Sequence, residues 1–251
     1  MKNIVLTVLM VSMIMFPLLG EAINDNSLVL YLSFEENQGD KTKDQSETGT
    51  TGSLKNDVKW TKDGKYGNAL SFAGANQYVE VPNVPQLDIT KEITMEAWIY
   101  PIEVQGDSSL YGRRNSANQG GYCMQWTAGK IETWIHIGGW QGTRGKQTVT
   151  PKTGMWHHVA GVYDGKKVIQ YVNGELDIEF ALSGAMNNVA EVFRVGQAQT
   201  SLTPMHGTID EVTIYNRALT QKEIQEDMNG VLLAVSPSGK LTTTWAAVKG
   251  E

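Results

Sequence analysis

Two Gly-containing links inside one 25-residue stretch, Trp156 to Phe180 (WHHVAGVYDGKKVIQYVNGELDIEF), constrain the fold more than any other feature. Asp164-Gly165 and Asn173-Gly174 each separate extended runs, and a two-residue Asp-Gly or Asn-Gly link favours a type I′ hairpin because both central residues need positive φ. The stretch is therefore expected to be a meander of antiparallel strands. Val168, Gln170 and Val172 alternate with Ile169, Tyr171 and Asn173, so both faces of the sheet carry bulk.

Further strands are expected on both sides of this meander. Leu28 to Phe34 places Leu30, Leu32 and Phe34 on one face, and Gly67 to Val81 reads as two short strands about a turn at Ala73 to Asn76. In Ile93 to Tyr100, the residues Ile93, Met95, Ala97 and Ile99 oppose Thr94, Glu96, Trp98 and Tyr100, and Pro101 ends the run. Tyr122 to Thr127 and Lys130 to Ile137 follow, the latter with Ile131, Thr133, Ile135 and Ile137 against Glu132, Trp134 and His136. Val192 to Gly196 and Thr208 to Tyr215 close the set. Glu36 to Ser53, rich in Gly, Ser, Thr and Asp, and roughly Val104 to Gly120, rich in Gly, Ser and Asn, read as long loops. Thr220 and Glu223 form a capping box that starts one short surface helix, with Asn229-Gly230 as its stop. Many short strands and one helix predict an all-β, two-sheet antiparallel jelly-roll sandwich.

Lys2, the apolar run Ile4 to Leu19 and Gly20-Glu21-Ala22 have the layout of a secretory signal peptide cut after Ala22. The expected organisation is a leader over 1–22, one domain over 23–230 and a tail over 231–251 that holds a further strand pair or is partly loose. A location outside the cytoplasm follows, secreted, extracellular or periplasmic, with no membrane span once the leader is removed. The formal charge of −6, without a Lys/Arg cluster, argues against nucleic acid as a partner. Cys123 is the single cysteine, which excludes an intrachain disulfide or a multi-cysteine metal site.

The segments GNALSFAGANQYVEV, ITMEAWIY, WHHVAGVYDGKKVIQYVNGELD and GTIDEVTIYNRALTQKEI, in that order between about Leu28 and Asn229, resemble the laminin-G-like domain of the concanavalin A-like lectin/glucanase superfamily. The resemblance implies a jelly roll that serves as a non-catalytic recognition or adhesion module, often with bound calcium, and it leaves the ligand open. Ala73 and Gln77 stand where family members commonly carry Asp.

Three candidate sites follow. If Phe34 pairs with Val212 across the first and last strands, Glu36 lies opposite Asp210, and two carboxylates facing each other there call for a cation or for other partners. The expected cofactor is a structural calcium ion held by Glu36 and Asp210, with Asp63 or Asp44 completing the shell. The alternative is that Asp210 and Glu211 bond loop amides or Arg217. The second site is a polar-aromatic face of Trp98, Trp134 and His136 with Glu96 and Glu132, extended by Trp126, Trp140 and Arg113. Flat rings pack on the C–H face of a sugar while carboxylates meet its hydroxyls. Alternatively, the segment Val104 to Gly120 covers these rings as a second small core.

The third is Glu175-Leu-Asp177-Ile-Glu179, similar to the E-x-D-x-E strand of laminarinase-type retaining glycosidases. Here it follows the Asn173-Gly174 turn rather than preceding the hairpin. A flat strand also spreads Glu175 and Glu179 by roughly 13 Å, against the ~5 Å that retaining chemistry requires. A secreted, non-catalytic module that binds a glycan or an extracellular protein is the leading expectation. A purely structural surface or matrix protein and a glycosidase are the alternatives.

Overall fold

The computed structural model describes residues 25–230, apart from Ala75, Val104, Gln105, Ser116, Asn118, Thr200 and Ser201. The expected leader (1–22) and tail (231–251) lie outside the described residues. The chain runs through β1 (Leu28–Leu32), β2 (Lys41–Lys43), β3 (Thr51–Lys55), β4 (Lys59–Thr61), β5 (Ala69–Ala73) and β6 (Tyr78–Val81). A 3-10 turn at Pro85–Leu87 leads into β7 (Ile93–Pro101), β8 (Asp107–Arg114), β9 (Gly120–Thr127), β10 (Lys130–His136) and β11 (Trp140–Gly142). Then come β12 (His157–Tyr163), β13 (Lys167–Val172), β14 (Glu175–Ala181), β15 (Phe193–Val195), β16 (Thr203–Pro204), β17 (His206–Tyr215) and helix α1 (Gln221–Met228).

These strands form two sheets. The first has the order β14-β13-β12-β7-β17-β5-β4, with β1 also on β17; the second runs β11-β10-β9-β8-β15-β6-β3-β2, with β16 beside β8. All pairings within the two sheets are antiparallel except β16 with β8. Met95, Ala97, Ile99, Val159, Val212 and Ile214 of the first sheet meet Tyr122, Met124, Trp126, Ile131, Ile135 and Phe193 of the second in one core. The alternation read from the sequence thus sorts each strand into a core face and an outer face. Near the centre, Gln170 is fully buried and ties the layers together: its Oε1 accepts from Thr133 (3.0 Å) and Thr143 (2.9 Å).

The two expected hairpins differ in detail. Asn173 and Gly174 both have positive φ (52° and 75°), as a type I′ turn requires. At the other hairpin only Gly165 does (82°), and the Asp164 carboxylate receives the amides of Lys166 (2.9 Å) and Lys167 (2.7 Å), so the turn centres one residue later. Helix α1 starts on the expected capping box, with Thr220 and Glu223 each bonding the other's backbone amide. On the outer face of the first sheet, its Ile224 packs with Leu219, Tyr215, Val162, Ile169 and Tyr171.

Two expectations are corrected. The segment Val104 to Gly120 is not a loop throughout: about half of it is β8, with Leu110 and Tyr111 fully buried. It pairs with β9 through register shifts at Ser109/Tyr111 and Arg113/Arg114. The first and last strands do lie side by side, but Leu32 faces Val212 and Leu30 faces Ile214, two residues from the expected register. β1 ends at Leu32, and the chain then passes through Phe34 at φ 53°.

Candidate functional site

Along β10, Ile131 and Ile135 turn into the core while Glu132, Trp134 and His136 face out. Trp134 lies across from Cys123 on β9 and Gly142 on β11, and His136 lies across from Trp140. The Trp134 ring rests on the backbone of Gly142; a Cβ there would sit 2.5 Å from its Cδ2. Its indole Nε1 donates to Glu132 Oε2 at 3.0 Å, so the ring is held from beneath and from its edge. Gly142→Ala is therefore expected to reorient the indole without unfolding the sandwich, read as altered near-UV circular dichroism with unchanged far-UV signal. An unaltered near-UV spectrum would show that the glycine does not set the ring.

Glu132 is 2 % exposed, yet its charge is matched. Arg144 Nε and Nη2 donate to its carboxylate at 3.0 and 2.9 Å, and Thr127 Oγ1 donates at 3.2 Å. Arg144 Nη2 also meets Asp107 at 3.2 Å. Hydrogen bonding to Glu132 pushes the Arg144 pKa still further up. Beside it, His136 and Trp140 meet edge to face with centroids 5.0 Å apart, and the Arg114 guanidinium lies 4.7 Å over the Trp140 ring. Gly120 leaves room for that indole, since a Cβ there would fall 2.8 Å from Trp140. A cleft of about 190 Å³ results, lined by Trp134, Trp140, Arg114, Arg144, Asp107 and Gln125. Two flat rings with charged and amide groups beside them suit a ligand that is apolar on one face and hydroxylated at its edges.

The structure divides the predicted polar-aromatic face. Trp134, His136 and Glu132 share one outer surface, but Trp98 and Glu96 belong to β7 in the opposite sheet. Trp98 is 7 % exposed, under Tyr66 (6.2 Å, edge on) and the Lys65 ammonium (4.0 Å). Glu96 is 1 % exposed on the face that α1 covers. Neither carboxylate oxygen has a hydrogen-bond partner, His158 Nε2 lies 3.3 Å away, and burial raises the Glu96 pKa well above the usual carboxylate range. Of the proposed extensions, Trp140 joins the cleft, whereas Trp126 is in the core and Arg113 is an internal tie. Arg114, Arg144 and Asp107 complete the cleft from stretches of loop-like composition, which carry no local signal for a site.

The predicted calcium trio does not assemble. A bulge at Glu211 (φ 54°) sits between the pairs Asp210–Trp98 and Thr213–Glu96, which turns Asp210 to the outer face. There it accepts the amides of Tyr66 (3.0 Å) and Glu211 (2.9 Å). Glu36 accepts the Lys43 amide at 2.8 Å, Asp63 is exposed, and Asp44 takes the amides of Tyr31 and Ser46, both at 2.9 Å. Among the described residues no group of three or more His, Cys, Asp or Glu side chains is placed to hold a metal ion. These four residues therefore do not fit a shell of six to eight oxygens.

The carboxylates of Glu175, Asp177 and Glu179 do not share one face either. A register shift in the β13–β14 pairing turns Asp177 inward, 6 % exposed, to receive Thr148 N, Val149 N (both 2.8 Å) and Gln170 Nε2 (2.7 Å). Glu179 pairs at the surface with Lys167 (2.7 Å), and Glu175 faces Gln221 of α1 at 3.4 Å.

A profile of the concanavalin A-like lectin/glucanases superfamily matches residues 73–225, and the chain belongs to this superfamily. No curated protein sequence matches it. Among solved structures it is similar to domain 4 of AbnA, an extracellular arabinanase of Geobacillus stearothermophilus, in complex with arabinotriose. That likeness has a TM-score of 0.65 at 20 % identity and covers 80 % of this chain and 98 % of the other. It is also similar to the binding domain of Paraclostridial Mosquitocidal Protein 1 (TM-score 0.65, 19 % identity, 82 % of this chain and 52 % of that one). A third likeness is the botulinum neurotoxin serotype D ligand-binding domain in complex with N-acetylneuraminic acid (TM-score 0.63, 14 % identity, 82 % and 51 %). The chain thus spans about half of each toxin domain. At these identities the likeness establishes the jelly-roll fold.

Proposed function

We propose that this protein is an exported, non-catalytic binding module that holds a glycan on the outer face of β9, β10 and β11. The observation that carries the reading is the pair of outward indoles, Trp134 and Trp140, each seated over a glycine, with Glu132 at the Trp134 edge and the Arg144 and Arg114 guanidiniums over the Trp134 and Trp140 rings. A sugar ring stacks on such a surface and exchanges hydrogen bonds at its rim. Support comes from two similar folds, one solved with arabinotriose and one with N-acetylneuraminic acid. The dispersal of Glu175, Asp177 and Glu179 favours recognition over hydrolysis. Export follows from the apolar leader expected over 1–22, and among the described residues no helix is long and apolar enough to cross a membrane.

Screening on a glycan array followed by calorimetry tests this reading. Trp134→Ala and Trp140→Ala are each expected to weaken binding by about thirtyfold, or about 2 kcal/mol, with the thermal melt retained and the ligand recovered unhydrolysed. Binding that survives both substitutions places the site elsewhere, and an array without any binder returns the protein to a structural role.

A further inference from the structure

We infer that this face selects an uncharged glycan over an acidic one, an inference that rests on its being a glycan site. Four ionised side chains stand around the cleft, Asp107, Glu132, Arg114 and Arg144, and their formal charges cancel. They are also committed to partners. Glu132, almost fully buried, receives Arg144 through Nε and Nη2 (3.0 and 2.9 Å) together with the Trp134 indole (3.0 Å). Arg144 reaches on to Asp107 at 3.2 Å, and Arg114 lies over the Trp140 ring at 4.7 Å.

Arg144 offers an acidic sugar only Nη1, because its Nε and Nη2 already serve Glu132 and Asp107; those two carboxylates match its charge, so a further pair at the surface gains little. A hydroxyl asks for much less, because it both donates and accepts, and the Gln125 carboxamide in the lining offers both roles. Asp107 at the rim, with a half-exposed side chain, is the position that keeps the balance at zero.

The test uses oligosaccharide pairs that differ by a carboxylate, cellotetraose against β-1,4-linked tetraglucuronate and lactose against 3′-sialyllactose, within an array holding neutral and acidic glycans of other linkages. The neutral member is expected to bind at least about tenfold tighter, with a Kd that moves less than about twofold between roughly 50 and 500 mM NaCl. Asp107→Asn, a rim substitution, is expected to shift the acidic-to-neutral affinity ratio several-fold towards the acidic member. Acidic glycans binding tighter, with strong salt dependence, overturn the inference and leave glycan recognition standing, as does an unchanged ratio in Asp107→Asn. If no array member of either kind binds, recognition itself fails and this inference with it.

Discussion

Replacing Arg113 with methionine is expected to cost about 3–5 kcal/mol of folding stability, visible as a fall of about 10 °C or more in the thermal midpoint. The guanidinium is 1 % exposed and serves five partners on two separate connections. Its Nε donates to the Glu191 carbonyl (2.9 Å), its Nη1 to the Leu87 carbonyl (2.6 Å) and Asn188 Oδ1 (3.0 Å), and its Nη2 to Asn83 and to Asp88 (2.6 Å). Methionine fills similar volume, so the loss falls on the lost hydrogen bonds to Glu191 and to Leu87, whose carbonyl keeps only the Tyr122 hydroxyl (3.1 Å), rather than on a cavity. Lysine keeps the charge but lacks the planar fork, and Arg113→Lys should recover less than half of the loss. Urea denaturation of the three proteins measures this; a methionine variant within about 1 kcal/mol of the parent would show that the segments around Leu87 and Glu191 are held by something else.

An acid beneath α1 should also cost stability as pH rises from about 4 towards 7. Asp227 on the helix takes the Tyr215 hydroxyl at 2.5 Å, and burial, with the Glu96 charge adding to it, raises its pKa from 3.8 to about 7. A carboxyl whose pKa is higher folded than unfolded stabilises fully below the unfolded value. That contribution drains away as pH climbs from about 4 to about 7, up to about 4 kcal/mol in all. Glu96 acts in the same direction. His158 acts oppositely: burial lowers its pKa to about 4, so its contribution is complete above about pH 6.5 and is lost on acidification. Asp227→Asn removes one proton from this balance while keeping the shape. Denaturation curves from pH 4 to 8 should therefore show the parent losing ground to the variant across the lower window and running parallel above it. Parallel behaviour throughout would mean that Asp227 is solvated, and with it that α1 is not firmly seated.

Much of this architecture is legible from alternation alone. The face assignments of β7 and β10 follow from period-two patterns, and α1 from four residues, Thr220 to Glu223. What alternation cannot convey is sheet membership. Trp98 and Trp134 sit in similar patterns on strands that end in opposite layers, and only long-range pairing separates them. Bulges defeat the pattern in a second way: those in β8 hide a buried strand within loop-like composition, and those at Glu211 and in β14 turn Asp210 away from Glu36 and Asp177 away from Glu175 and Glu179. The cleft was accordingly half visible. Trp134, His136 and Glu132 were placed by their strand, whereas Arg144 and Asp107 arrive from segments whose local sequence gives no reason to meet Glu132.

The seating of β1 on β17, Leu28 against Tyr215, has a bearing on synthesis. The residues that flank the opening strand in the finished sheet are among the last of the domain to leave the ribosome or a translocation pore. Until they emerge, Leu30 and Leu32 have no place to hide and β17's slot between β7 and β5 stays open. Such sequence-distant closure makes for slow folding and a sticky nascent chain, which gives holding chaperones a defined window of need: from the appearance of Leu28 to the arrival of Tyr215.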